Sequence, residues 1–265
     1  MTALGYAGRV GEALTAIEAT LQLIVEEGEQ AARFTSIFLN ARGWLLRNLG
    51  LHEAADAANM EALEHIAATM PRMGEPYHVA HLDLLDGALA RNDAVDTSRW
   101  LAQALPIATW DGTMSWRQQG RLDLLRARIA LRDDDPMTAM TLATSVRDRA
   151  ATWGVPRYQL LAELVMDEVA AGAGQADAGV VADRLQALGD VAAPEAWWRT
   201  AEMAVALDDG GLAADAEARA APLVADAASA GIDAASAVAD RLAAIRARRS
   251  TRDRVSELNR PLRRS

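Results

Sequence analysis

Apolar residues recur three and four positions apart along most of the chain, and short clusters of Gly, Asn, Asp and Pro separate these runs. That spacing puts apolar side chains on one stripe of a 3.6-residue helix. No stretch alternates apolar and polar with the Val, Ile and Thr content of a strand. The pattern therefore predicts helices joined in pairs. The clearest pair is GWLLRNLGLHEAADAANMEALEHIA, residues 43–67. Its first helix ends at Leu49, Gly50 makes the turn, and a second helix starts near Glu53. Small residues stand where two antiparallel helices must touch: Gly43 on the first, Ala55 and Ala62 on the second.

The rest of the chain repeats this unit. In residues 1–28, Gly8 takes the place of Gly50 and Ala13 that of Ala55, but the first helix is cut to about two turns. Residues 29–71 are the reference hairpin, closed by Pro71. Residues 75–110 carry Gly87 where the reference carries Gly43, and turn at Arg91-Asn92-Asp93. Residues 115–154 place Ala127 at the small position and turn at Asp133–Pro136, with aspartate caps and Pro in the first turn. A fourth hairpin, 156–188, has the loose turn GAGQADAG, and a fifth spans 194–230, where Pro222 is expected to kink or shorten the second helix. A last amphipathic helix, 233–249, is expected to cap the stack. From Gly50 to Arg91 to Arg132 the turns recur every 41 residues. The predicted organisation is one repeat domain over 1–249, with 1–28 an incomplete first repeat and 191–249 a divergent end. An Arg-rich tail over 250–265 is expected to be disordered and dispensable for folding.

This combination of glycine, paired alanines and recurring turns resembles the tetratricopeptide repeat, whose period is about 34 residues. RGWLLRNLG and LLRARIALRDDDP are similar to the C-terminal helical repeats of large bacterial LuxR-type (STAND) signalling regulators. The resemblance implies an all-α, right-handed α-solenoid of about five helical hairpins that binds a peptide or protein segment and is not an enzyme. It also leaves open a sensor or oligomerisation segment of a larger regulator without its nucleotide- and DNA-binding domains, or an all-α enzyme with a buried pocket. In that family the first helices line a concave groove. Carried over helix by helix, the groove residues are Asn40, Trp44, Arg47 and Asn48, then His81, Leu84, Arg91 and Asn92, then Arg121, Leu124, Arg128 and Arg132.

Composition narrows the chemistry. The chain has no cysteine, which excludes disulfides, zinc thiolates and thiol nucleophiles, and no lysine, which excludes a P-loop lysine and Schiff-base catalysis. All 27 basic residues are Arg. Residues 246–265 hold eight of them against Asp253 and Glu257, a local charge of +6, so the other 245 residues carry −16. The body is expected to repel nucleic acid, and only the tail attracts it. No signal peptide and no run of ~18 apolar residues is present, which predicts a cytoplasmic protein with no membrane span.

Arg and Asn recurring on an acidic body suit a carboxylate-bearing partner held by forked hydrogen bonds; a solvated face paired to neighbouring Asp and Glu is the competing reading. His78 and His81, with Glu75 one turn earlier, lack a third ligand and read as packing rather than metal ligands. GAGQADAG reads as a turn, because Asp177 replaces the third glycine of a dinucleotide loop. The seven Trp read mainly as packing, with some left as recognition anchors. No cofactor and no catalytic grouping is predicted. The apolar stripe Leu14, Ile17, Leu21, Ile24 of the first repeat has only a short first helix to cover it. Preceding residues, or a second copy in a two-fold dimer, are expected to supply the rest.

Overall fold

The structure, a computed structural model, describes residues 2–69 and 74–258, with side chains at 3–69 and 74–247. Every element among them is helical: α1 Thr2–Tyr6, α2 Val10–Glu27, α3 Glu29–Ala32, α4 Thr35–Asn48, α5 His52–Thr69, α6 Glu75–Ala90, α7 Ala94–Ala104, a 3-10 turn Leu105–Thr109, α8 Ser115–Arg132, α9 Pro136–Trp153, α10 Pro156–Gly172, α11 Ala178–Leu207, α12 Gly210–Ser229 and α13 Ala235–Leu258. Consecutive helices pair as hairpins, and the hairpins stack so that α4 packs on α6, α6 on α8 and α8 on α10. The fold is an all-α, solenoid-like array. Pro71 and residues 259–265 of the tail lie outside the described residues.

One turn geometry builds the array. Gly8, Gly50, Asn92 and Asp134 each adopt a left-handed backbone, with φ of 82, 78, 58 and 60°. Behind each, the next amide bonds back five residues: Arg9 to the Leu4 carbonyl, Leu51 to Leu46, Asp93 to Ala88 and Asp135 to Ala130. This closes the last orphan carbonyls of the first helix. These equivalent residues stand 42 apart rather than the 41 counted from Arg91 and Arg132, because the left-handed position is Asn92 in one turn and Asp134 in the other. Asn and Asp tolerate that conformation better than other side chains. In the next residues Asp93 and Asp135 cap α7 and α9 by accepting from the Asp96 and Thr138 amides.

Small residues mark the contacts as expected. Gly43 faces Asn59 of α5, Gly87 faces Asp56 of α5, and Ala55 and Ala139 are buried. One expectation fails: helix α12 runs through Pro222 to Ser229. Helix α13 runs to Leu258. Between Arg249 and Leu258 there is no Gly or Pro to stop a helix.

The break falls elsewhere, in α11. Ala192 leaves helical geometry (φ −157°, ψ 62°) just before Pro194, whose ring cannot share space with a carbonyl one turn back. Residues 178–191 form the second helix of the fourth hairpin. Residues 193–207 turn into the inner face of the array and are buried on nearly every side, from Pro194 through Ala204. A helix buried all round is a core element rather than a layer of a solenoid.

The array then closes on itself. Val10, Ala13, Leu14 and Ile17 of α2 share one core with Ala220, Leu223 and Ala227 of α12. Leu14 and Ile17 of the stripe expected to lack cover are covered by the last hairpin of the same chain. Gly11 marks the seam: its amide donates to the Asp226 carboxylate, and a Cβ there would run into the Asp226 carbonyl. Gly11→Ala must push α2 and α12 apart and is expected to cost about 1–3 kcal/mol by the overpacking rule. Urea unfolding of the two proteins measures it; an unchanged midpoint would mean that α2 and α12 do not meet.

Candidate functional site

The inner face is defined by what residues 193–207 bury. Asn48 holds both tryptophans of the EAWWR segment: its backbone carbonyl accepts from Trp197 Nε1 at 2.9 Å, and its side-chain oxygen from Trp198 Nε1 at 3.0 Å. Arg47 pairs with Asp83 and, at 3.3 Å, with Asp86. Arg128 reaches Asp86 at 2.8 Å and Glu202 at 3.2 Å, and its guanidinium lies over the Trp198 ring. From α13, Arg241 donates to the Arg47 carbonyl at 2.8 Å and lies over both Trp rings.

These charges hold one another. Burial works against the charged Asp86, but Arg47 and Arg128 outweigh it and keep the carboxyl well below the usual range. Glu195 is likewise lowered against its burial, mainly by Arg157. Arg241 has no carboxylate in ion-pair contact among the described residues. Burial, with Arg128 and Arg47 nearby, lowers it to about 9.

The residues expected along a groove therefore separate into three places. Arg47, Asn48 and Arg128 are interior groups: Arg47 is held by Asp83 and Asp86 of α6, and Asn48 and Arg128 are bonded to the helix that occupies the inner face. Arg91, Asn92 and Arg132 sit at the turn end: Arg91 pairs with Asp56 at 2.8 Å, Asn92 is an exposed turn residue, and Arg132 reaches Asp133 and Thr97. So Arg47, Arg91 and Arg128 do not share one open surface. His81 is buried, bonds the Tyr77 carbonyl through Nδ1 and stacks on Tyr77 at 4.2 Å; His78 packs on Trp110 at 4.5 Å. Burial lowers both imidazoles. Among the described residues no group of three His, Asp or Glu side chains is placed to hold a metal.

Asn40, Trp44 and Arg121 come together, and they do so at a cavity. It has a volume of about 310 Å³ and lies where α1, α2 and α4 meet the N-terminal ends of α6, α8 and α10. Its apolar wall is Ile17, Ile37, Leu45 and Val79. Its polar wall includes Glu75, Asp83, Arg117, Arg121 and Arg157. Tyr6 meets Trp44 edge-on at 4.9 Å, and the Arg157 guanidinium lies over Tyr6 and Tyr158. Arg157 forks onto Glu195, with Nε to Oε2 at 2.9 Å, and Glu195 also accepts from Trp44 Nε1 at 3.3 Å. Arg121 pairs with Asp83 at 2.6 Å. An aromatic and apolar enclosure with a few convergent charges is the usual make-up of a small-ligand site.

Glu75, Asp83, Arg117, Arg157 and Glu195 were not singled out as groove residues from the sequence. A signal existed for two of them. Asp83 and Asp86 interrupt the apolar run of residues 82–90 in α6, and Glu195 and Arg199 flank paired tryptophans. Charges set among core residues announce partners. Arg117 and Arg157 carried no such mark, because each opens a helix whose place in the array only the structure gives.

Acid should loosen this interior. Asp86 and Glu195 have folded pKa values below their unfolded ones, so their contribution is present above the ordinary carboxylate range and lost as pH falls through the folded values. Asp86→Asn leaves Arg47 and Arg128 short of a counter-charge and is expected to cost about 3–5 kcal/mol at pH 7, the range for breaking a buried pair. Its stability should also fall less steeply below about pH 4. Denaturant titrations of both proteins from pH 3 to 7 measure the two effects, and parallel curves would contradict the assignment. In comparison with known proteins, the chain matches no family model, no curated protein and no solved structure, and what the site can do rests on its residues.

Proposed function

We propose that the chain is a non-enzymatic helical-repeat binding module, of the tetratricopeptide kind that its small-residue pattern resembles. Its ligand seat is the cavity between α4 and the N-terminal ends of α6, α8 and α10. The observation that carries the reading is the division of the inner face. Residues 193–207 occupy most of it, and what they leave open is a cavity walled by two aromatic rings, an apolar patch and three guanidinium groups. A cavity of that volume takes a small molecule, or one or two side chains of a partner's segment, rather than a helix laid along a groove.

A second reading fits the same geometry: the ligand-sensing segment of a larger signalling regulator, of the LuxR or STAND type that RGWLLRNLG and LLRARIALRDDDP resemble. What favours it is the position of the cavity. Tyr6 and Ile17 belong to the first repeat, which the last hairpin holds in place, so a bound ligand touches the closure of the array as well as its inner face. Such a ligand stabilises the closed form by mass action.

A fragment screen by ligand-observed NMR, run on the full chain and on Ala41→Trp, tests the seat. Ala41 lines the cavity and is half-buried, so the indole fills the space without entering the core. Fragments that bind the native chain are expected to lose binding at least tenfold to the variant, with the helical circular dichroism unchanged. Equal binding to both would place the ligand seat elsewhere.

A further inference from the structure

The charges around the cavity do not all balance in pairs. Arg121 meets Asp83 and Arg157 meets Glu195. Two lining groups are left over. Arg117, on α8, donates from Nε to the Tyr158 hydroxyl at 3.2 Å and has no carboxylate in ion-pair contact among the described residues. Glu75, on α6, accepts from Gln118 Nε2 at 3.0 Å and has no guanidinium in contact among the described residues. One cation and one anion therefore stand on neighbouring helices at one cavity, each bonded only to a neutral side chain.

The setting of Arg117 costs stability, whereas Glu75, in the first turn of α6, is favourably placed. Arg117 and Arg157 lie in the first turns of α8 and α10, the positive ends of those helix dipoles, and neither first turn carries an acidic residue.

We propose that the cavity binds a small zwitterion with an apolar side group, the chemical class of the free apolar α-amino acids. Its carboxylate meets Arg117, its ammonium meets Glu75, and its side chain lies against Ile17, Ile37, Leu45 and Val79. A lining with one spare charge of each sign favours a net-neutral ligand over a simple anion, which would leave Glu75 facing it. The volume suits a molecule of that size. The inference rests on the cavity being the ligand seat.

Calorimetric titration of the full chain with L-leucine and L-phenylalanine tests it, beside 4-methylpentanoate, which lacks the amine, and 3-methylbutylamine, which lacks the carboxylate. At least one amino acid is expected to bind with a dissociation constant between about 1 μM and 1 mM, and each truncated probe at least tenfold more weakly. Arg117→Gln should remove the preference for leucine over the amine, and Glu75→Gln the preference over the carboxylate. Both residues are half-buried, and the thermal midpoint checks that the variants fold. If a variant fails to fold, the comparison of probes on the native chain still decides. Binding of 4-methylpentanoate as tight as that of leucine would overturn the zwitterion in favour of an anion site. So would leucine affinity unchanged in both variants. If cavity-directed fragments bind but neither amino acid does, the zwitterion falls and the seat stands. If fragments also ignore the cavity, both fall.

Discussion

A guanidinium taken out of water costs several kcal/mol unless carboxylates, carbonyls or aromatic faces replace its hydration. Among the described residues four arginines, Arg47, Arg128, Arg199 and Arg241, are buried, and the interior supplies them with carboxylates, a carbonyl and aromatic faces. Asp83 and Asp86 come from α6, and Glu202 from the inward-turned part of α11. The tryptophan faces come from the same segment. No hairpin supplies all of these by itself. The array and the helix that fills it are therefore mutually required: without residues 193–207, Arg128 and the Asn48 carbonyl and amide lose partners together.

The helices and their pairing were legible because both depend on local signals. Apolar spacing, the Asp caps, Gly50 and the small residues at Gly43 and Ala55 each act within one hairpin. What lay beyond the sequence depends on distant pairing. Of the residues expected along the groove, Arg47, Asn48 and Arg128 are buried, and inward is not the same as open. Nothing within residues 40–48 says that Trp197 and Trp198 will bond to Asn48. The same holds for the stripe of α2, whose cover arrives from residues about 200 positions later. Pro222 misled in the other direction. A proline inside a helix is costly, yet α12 continues through it, held by Leu212, Ala216, Ala220 and Leu223 in two cores.

Filling the inner face also changes what kind of recognition this architecture allows. An open solenoid offers a long trough and reads an extended chain. Here Tyr6, Trp44 and Arg157 wall one compact space, and the remaining inner charges are consumed by the protein itself. In the proposed seat, specificity would rest on a handful of groups at fixed positions, since Glu195 and Asp83 lock Arg157 and Arg121. Rigid, pre-paired walls lower the ordering cost of binding.

The seam at Gly11 sets an order of events during synthesis. Stacked repeats ordinarily fold as each emerges, because every unit needs only its neighbour. Helix α2 is an exception, since Leu14 and Ile17 complete their core with α12. At about 5–20 residues per second, the ribosome takes roughly 10–40 s to pass from the end of α2 to the end of α12. For that interval the apolar surface of α2 has only its neighbouring helices for cover. The finished ring hides it, and the growing chain does not, so the interval is when holding factors have most to bind and when two nascent copies have most to exchange.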